Sequence, residues 1–293
     1  MQQRNIEKRL QSATTKVQVT KIFMTFLSNM MFGTTRGGFW LPFVFFIWVF
    51  SAGYGQVNIS GKRGLMFIPT AEAMPDGAFL LQAAYLPASQ SFFARNIHSN
   101  TNYVASLQVL PRVGVQFFIN RANAPTSQLK QGLGDRQIDF SFLLIKETKT
   151  LPAVSLITTF PFAIFPPLSL GALVATKNVE LGAFHIQPTL GWDNPWVLYR
   201  DEDNLNNSRF FSEFTFKRKV KGERGGQFLF GPFGGLKVSY RHHAGLMAEW
   251  TGQQFHVGAY ATVAKRLTLQ GGRLSAGAWM ASVSYQTPLV KSK

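Results

Sequence analysis

The dominant pattern along this chain is an alternation of apolar and polar positions, which predicts β-strands. Within residues 113–120, 137–146 and 255–263, every second residue is apolar and most of those between are small or polar. Similar segments of roughly 8 to 11 residues recur about a dozen times after Gly77, separated by turns rich in Gly, Pro and Asn. A sustained 3.6-residue period is almost absent. The pattern predicts an all-β fold.

Two architectures bury such strands: a soluble sandwich, and a transmembrane barrel that turns its apolar faces to lipid. Strands of about 9 to 11 residues can cross a bilayer at a tilt. The chain holds 28 Phe, 6 Trp and 7 Tyr. Several aromatic residues fall near predicted strand ends, as an aromatic girdle requires: Tyr85, Trp192, Trp196, Tyr199 and Tyr285. We therefore predict an antiparallel transmembrane β-barrel of about 12 strands, with a soluble periplasmic β-sandwich binding protein as the alternative.

The polar faces of the predicted strands carry charges of both signs, which suits a hydrogen-bonded lumen better than a dry sandwich core. The residues that we expect to face the lumen are Gln116, Asp139, Glu213, Lys237, Arg241, Glu249, His256 and Tyr260. A lone buried carboxylate is costly, so Asp139 should have a cationic partner. Arg136 is the first candidate, and Lys237, Arg241 or Arg112 could equally serve.

An apolar run without a charge at residues 39–50 follows Arg36 and precedes several small residues, as in a secretory signal peptide. We predict cleavage before Gln56, with an uncleaved N-terminal anchor as the alternative. This divides the chain into an extension plus signal peptide, residues 1–55, and a barrel domain, residues 56–293. Export and the predicted barrel together place the protein in the outer membrane of a Gram-negative bacterium.

Charge and cysteine content narrow the function classes. The formal net charge is +16, and the basic residues are scattered rather than clustered. Because no zinc-finger, RNA-recognition or basic-helix pattern is present, we expect no nucleic-acid partner. The chain has no cysteine, which excludes a disulfide framework and thiolate metal sites. The expected partner is outer-membrane lipid, including lipopolysaccharide, and no cofactor is implied.

Two clusters carry candidate chemistry. Asp201, Asp203 and Asn204 present oxygen ligands that suit calcium, although a simply polar loop is the stronger interpretation because the spacing is not that of an EF-hand. Ser239 with His242 and His243 invites comparison with a hydrolase, but the spacing supplies neither an oriented base nor an oxyanion donor. A barrel enzyme that modifies lipid or polysaccharide remains an alternative function.

The segment before the first predicted strand, residues 61–77, is punctuated by Gly and Pro and ends in the turn sequence Pro75-Asp76-Gly77. Its Pro-Thr-Ala sequence is expected to tuck into or against the barrel mouth as a short plug.

This segment resembles the start of the YjbH family of outer-membrane proteins, which are associated with exopolysaccharide biosynthesis. The resemblance is carried by Gly64, Pro69, Thr70, Ala71, Asp76 and Gly77, and by the later Gly134, Asp135 and Arg136. It implies an outer-membrane β-barrel with a non-enzymatic, accessory role in making or exporting surface polysaccharide. Polysaccharide and other envelope export proteins would then be partners. The resemblance brings no catalytic residue.

Overall fold

The computed structural model describes residues 56–91, 98–124, 135–160, 169–200, 214–219, 229–275 and 277–289. Its strands are β1 (Ala78–Leu86), β2 (Asn100–Leu110), β3 (Val113–Ala122), β4 (Asp135–Ile145), β5 (Ala153–Phe160), β6 (Gly171–Thr176), β7 (Val179–Leu181), β8 (Phe184–Asp193), β9 (Trp196–Arg200), β10 (Phe214–Arg218), β11 (Gly231–Tyr240), β12 (Ala244–Trp250), β13 (Phe255–Val263), β14 (Leu267–Arg273) and β15 (Trp279–Pro288). A 3-10 turn spans Ala88–Gln90. No helix in the described part of the chain is long and apolar enough to cross a membrane.

The strands close into a barrel. Twelve of them pair in the order β11-β12-β13-β14-β15-β1-β2-β3-β4-β5-β6-β8, and β8 pairs back onto β11. Every one of these pairings is antiparallel, including the closing one, which runs from Gly231↔Asp193 to Tyr240↔Phe184. The short strand β7 adds only to β8, and β9 and β10 form a separate two-stranded ribbon. The prediction of an all-β antiparallel barrel of about 12 strands is confirmed.

The barrel is apolar on the outside and polar on the inside. Along β3, for example, Gln116 and Asn120 are buried whereas Phe117 is exposed. Large apolar side chains are exposed around the whole wall, among them Leu81, Phe117, Leu156, Leu173, Leu190, Leu236, Leu246, Val257, Leu269 and Val283. This inversion of the usual soluble pattern is the surface that lipid requires.

Exposed aromatic side chains mark both rims of the wall. Those at one end are Tyr85, Phe160, Trp192, Trp250, Phe255 and Trp279, and those at the other end are Phe184, Tyr240 and Tyr285. Aromatic side chains favour the two interfaces between membrane and water. The rims therefore bracket the band that contacts the lipid tails.

The two ends of the barrel also differ in their connections. One end has three tight turns, at residues 111–112, 241–243 and 264–266, beside the longer connections 146–152 and 177–183, and β1 begins and β15 ends there. The other end has the longest connections, which include residues 123–134 and 194–230. We call these the short-turn end and the long-loop end. In outer-membrane barrels the short turns are periplasmic and the long loops extracellular.

Candidate functional site: the plugged lumen

Residues 56–74, which we call the plug, run inside the barrel before β1 begins. All of them are buried except Arg63, Glu72 and Ala73, which are half-buried. The plug folds on itself through isolated bridges between Val57 and Arg63 and between Gly64 and Pro69. At its first turn Gly61 has φ of 75°. A Cβ there would lie 2.3 Å from Cγ1 of Val104, so both the conformation and the space require glycine.

Glu249, on the inner face of β12, is the main acceptor for the plug backbone. Its Oε2 accepts hydrogen bonds from the amides of Met66 at 3.1 Å and Ile68 at 3.3 Å, and its Oε1 accepts one from Phe67 at 2.9 Å. The carboxylate therefore satisfies three consecutive amides that the plug, lacking regular secondary structure, cannot pair internally. The Phe67 ring also stacks on His256, with ring centroids 4.7 Å apart.

A buried ion pair joins the plug to the opposite wall. The Lys62 ammonium contacts Oδ2 of Asp139 on β4, and both side chains are 2% exposed. Thr159 donates to Oδ1 of the same carboxylate at 2.6 Å. Asp139 therefore has a cationic partner, as predicted, but the partner is Lys62 and none of the four residues suggested from the sequence. Arg136 lies on the exposed face of β4, since alternation turns residues 136 and 139 to opposite sides.

Wall side chains also bind the plug along its length. Ser106 donates to the carbonyl of Gly61 at 2.8 Å, and Ser155 donates to that of Ala71 at 2.8 Å. The Ala71 amide donates to Oγ1 of Thr176 at 2.9 Å. These contacts come from β2 and from the paired strands β5 and β6. Together with Glu249 on β12 they hold the plug across the lumen rather than against one wall.

Glycines in the wall make room for the apolar tip of the plug. A Cβ on Gly258 would lie 2.5 Å from Sδ of Met66, and one on Gly272 would lie 2.1 Å from the same atom. A Cβ on Gly235 would lie 2.8 Å from Cδ2 of Leu65. A side chain at these positions would push the plug tip out of place, and at Gly235 and Gly258 it would also meet wall carbonyls at 2.8 Å.

A cluster of charged side chains, Glu72, Arg63 and Lys237, lies nearer the short-turn end. Glu72 of the plug is 4.0 Å from Arg63, and the charge of Lys237 also acts on it. Burial by itself would raise the pKa of the Glu72 carboxyl. Attraction to Lys237 and Arg63, with hydrogen bonds from Gln187 and Asn178, outweighs this effect and lowers the pKa below its usual range. Glu72 therefore stays ionised beside its cations.

The family-like residues fall in different places. Gly64, Pro69, Thr70 and Ala71 are buried in the plug, so the Pro-Thr-Ala sequence tucks into the barrel as expected. Asp76 is exposed, and Gly77, with φ of 64°, forms the turn into β1. Asp135 begins β4 and Arg136 is exposed, whereas Gly134 lies outside the described residues.

The residues expected in the lumen divide as follows. Gln116, Asp139, Lys237, Glu249, His256 and Tyr260 are buried on the inner face of the wall. Arg241 is a correction: β11 ends at Tyr240, and Arg241 is exposed in the following turn with φ of 48°. There its guanidinium lies 5.3 Å from the centroid of the Tyr240 ring. The inward and outward alternation of β11 therefore ends one residue before Arg241.

The hydrolase candidates are arranged differently from the sequence grouping. Oγ of Ser239 is 3.5 Å from Nδ1 of His185, a residue that the sequence did not single out. His242 packs on His185 with ring centroids 4.5 Å apart, and Nε2 of His185 is 3.8 Å from Oε1 of Glu180. These separations are too long for hydrogen bonds that would activate a serine.

Some expectations fall outside the described residues: the leader, Glu213, and the calcium candidates Asp201, Asp203 and Asn204. Within the described ranges no group of three His, Asp or Glu side chains is arranged to hold a metal ion.

The partnership between Lys62 and Asp139 is not predicted by the strand pattern. A signal was available, because the apolar run Leu65–Ile68 follows the two basic residues inside a segment with no strand pattern. Such a run has to be buried somewhere. Which acidic side chain pairs with each basic residue depends on how distant strands are arranged in the barrel, and the alternation pattern does not give that arrangement.

A closed antiparallel barrel with a lipid-facing exterior and a polar, plugged interior defines a transmembrane β-barrel of the outer-membrane type. A family model described as "Exopolysaccharide biosynthesis protein YbjH", that of the YjbH family, matches residues 56–293. The chain belongs to the YjbH family. Among curated proteins, none matches it.

Similarity to solved structures is weak. An outer-membrane channel from Pseudomonas putida F1 is 15% identical, with 74% of this chain and 97% of that chain covered and a TM-score of 0.35. Wzi of Escherichia coli, an outer-membrane protein involved in group 1 capsule assembly, is 10% identical over 68% of this chain and 54% of its own, with a TM-score of 0.28. Outer-membrane phospholipase A of Escherichia coli is 12% identical over 73% of this chain and 98% of its own, with a TM-score of 0.30. These values are too low to transfer a function.

Proposed function

We propose that this protein is a non-enzymatic outer-membrane barrel that assists the assembly or passage of an exopolysaccharide, and that the plug closes its lumen in the resting state. The observation that carries the proposal is the seating of three consecutive plug amides on the Glu249 carboxylate. A segment held in this way blocks the lumen unless it is displaced. The description of the family supplies the link to exopolysaccharide.

The plug is built to be released as well as held. It contains no regular strand or helix, and its hydrogen bonds with the wall are individually replaceable by water. Its apolar residues, among them Leu65, Met66 and Phe67, also share a hydrophobic cluster with wall residues, which helps to hold it in place. Near the short-turn end its Met74 amide donates to Oε1 of Gln108 at 3.2 Å, just before the chain turns into β1. A periplasmic export partner would act on the plug from this end.

A non-enzymatic role fits the arrangement of Ser239. This residue is 1% exposed, so a substrate could not reach its hydroxyl while the plug is seated. With His185 at 3.5 Å, the pair lacks the short contact that nucleophilic catalysis requires.

The test is deletion of the gene, followed by sugar analysis of the cell surface and the medium. We expect the amount or the distribution of surface polysaccharide to change, and wild-type protein and the Ser239→Ala variant to restore it equally. An unchanged polymer after deletion would overturn the proposal. Restoration by wild type but not by Ser239→Ala would favour an enzyme instead.

A further inference from the structure

The inner wall of the barrel is chemically divided. On β14, β15, β1, β2 and β3, no described side chain that faces the lumen is ionisable. The inward polar residues of these five strands, which we call the amide wall, are Thr268, Gln270, Ser282, Ser284, Gln286, Gln82, Asn100, Asn102, Ser106, Gln108, Gln116 and Asn120. Ionisable residues of the described inner face lie on other strands: Asp139, His185, Asp193, Lys237, Glu249, His256 and Tyr260.

Polar residues of the amide wall are opposite one another on neighbouring strands, except between β1 and β2, where Gln82 is opposite Val104 and Ser106 is opposite Leu80. Asn102 is opposite Asn120, and Ser106 is opposite Gln116, between β2 and β3. Gln82 of β1 is opposite Ser284 of β15. Because paired residues of adjacent strands lie side by side, these amides and hydroxyls form two polar patches, one on β2 and β3 and one on β1, β15 and β14, with apolar residues between them.

The plug uses the two halves of the lumen differently. Its charged contacts and its strongest acceptor, Asp139 and Glu249, belong to the half that carries ionisable residues. On the amide wall its hydrogen bonds are those of Asn102 at 3.5 Å, Ser106 at 2.8 Å and Gln270 at 3.1 Å to plug carbonyls. The Met74 amide also donates to Gln108 at 3.2 Å. Among the described residues, buried amide atoms of Gln82, Asn100, Gln116, Asn120 and Gln286 have no hydrogen-bond partner. The wall thus offers more hydrogen-bonding capacity than the plug takes up.

We propose that the amide wall binds an uncharged glycan segment once the plug is displaced, an inference that rests on the proposed function. An amide side chain both donates and accepts, as sugar hydroxyl groups do. Phe118 lies between Gln116 and Asn120 on the inner face of β3 and offers a ring to the apolar face of a sugar.

The charges on the other half of the lumen point to the same class of polymer. Displacement of the plug takes away Lys62 and leaves the carboxylates of Asp139 and Glu249 facing the lumen. The third inner carboxylate, Asp193, stays paired with the buried Lys219, so Lys237 is the remaining described cation. An acidic polymer would therefore meet two unpaired carboxylates for one unpaired ammonium group, in a space where charges are poorly screened. A neutral polymer meets no such repulsion.

The test uses the full chain with the plug loosened by Lys62→Met or by Gly235→Leu, which leave every wall charge in place. Binding of maltohexaose, a neutral probe, and of hexagalacturonate, an acidic probe of equal length, is measured by calorimetry on the detergent-solubilised protein. We expect maltohexaose to bind at least about tenfold more tightly than hexagalacturonate. Adding Gln82→Leu and Asn120→Leu should weaken maltohexaose binding by about tenfold or more.

The matched control is Asn123→Leu, which removes an exposed amide just beyond β3 and should change maltohexaose binding less than about twofold. Equal or tighter binding of hexagalacturonate, no binding of maltohexaose, or insensitivity to the two wall substitutions would each overturn the inference. If gene deletion changes the polymer but maltohexaose does not bind, only this inference fails. If deletion leaves the polymer unchanged, the proposed function fails, and the binding data still decide which ligand the wall accepts.

Discussion

At the scale of single residues, the plug depends on two buried carboxylates of the wall, which lie on different strands and accept hydrogen bonds from plug residues. Asp139 and Glu249 are both 1% exposed, and each would be costly to bury without its partners from the plug. The seated plug and the charged half of the wall therefore stabilise each other. Removing one member of either contact should loosen the plug far more than removing an exposed charge.

Replacing Glu249 with Ala leaves the amides of Met66, Phe67 and Ile68 without their acceptor. At about 0.5–1.5 kcal/mol for each of the three hydrogen bonds, the loss is large enough to loosen the plug. We expect channel openings in planar bilayers that the wild-type protein does not show. The control is Glu180→Ala, which removes a carboxylate that is 65% exposed and should leave conductance unchanged. A silent Glu249→Ala variant would contradict the role of this residue.

The Lys62–Asp139 pair allows a double substitution. Lys62→Met alone leaves a buried, unpaired carboxylate and should destabilise the folded barrel by about 3–5 kcal/mol. Combining it with Asp139→Leu removes that charge, so much of the stability should return. The stability of the single and of the double variant is measured by thermal unfolding of the detergent-solubilised protein, monitored as the heat-dependent shift in gel migration. Additive losses in the double variant would show that the two residues do not interact.

At the scale of elements, the wall strands could be predicted from sequence and the plug contacts only in part. Period-2 alternation identified segments such as 113–120, because inward and outward faces differ in polarity whenever one faces lipid. The plug lacks any period, so only its apolar run and its turn residues gave a signal. The end of β11 was misjudged at Arg241, because a tight turn can interrupt the alternation at any residue.

The two neighbouring glycines of β14 allow a test of whether a substitution acts through its contact with the plug or through a general disturbance of the strand. A Cβ on Gly272 would lie 2.1 Å from Sδ of Met66, whereas one on the neighbouring Gly271 would meet only the Met280 carbonyl at 3.7 Å. We expect Gly272→Leu to displace the plug tip and to make residues 56–74 susceptible to protease. Gly271→Leu should leave the plug protected. Equal susceptibility of both variants would exclude a specific seat.

At the scale of the whole molecule, the closed barrel, its aromatic rims and its apolar exterior require lipid or detergent. We expect the protein to fractionate with outer membranes, to resist extraction by high salt, and to migrate differently on semi-native gels before and after heating. The apolar side chains exposed around the wall are the reason. Release by salt without detergent would indicate a soluble sandwich and contradict this assignment.

The central claim is that the plug must move for polysaccharide to be assembled or to pass. Because the chain has no cysteine, a disulfide can be introduced without competition. Ala71→Cys with Ser155→Cys would tie the plug to β5, where the Ser155 hydroxyl contacts the Ala71 carbonyl at 2.8 Å. In a deletion strain that produces this double variant, we predict loss of surface polysaccharide under oxidising conditions and recovery after reduction, with both single variants behaving as wild type. Normal polysaccharide in cells whose plug is fully cross-linked would contradict the account.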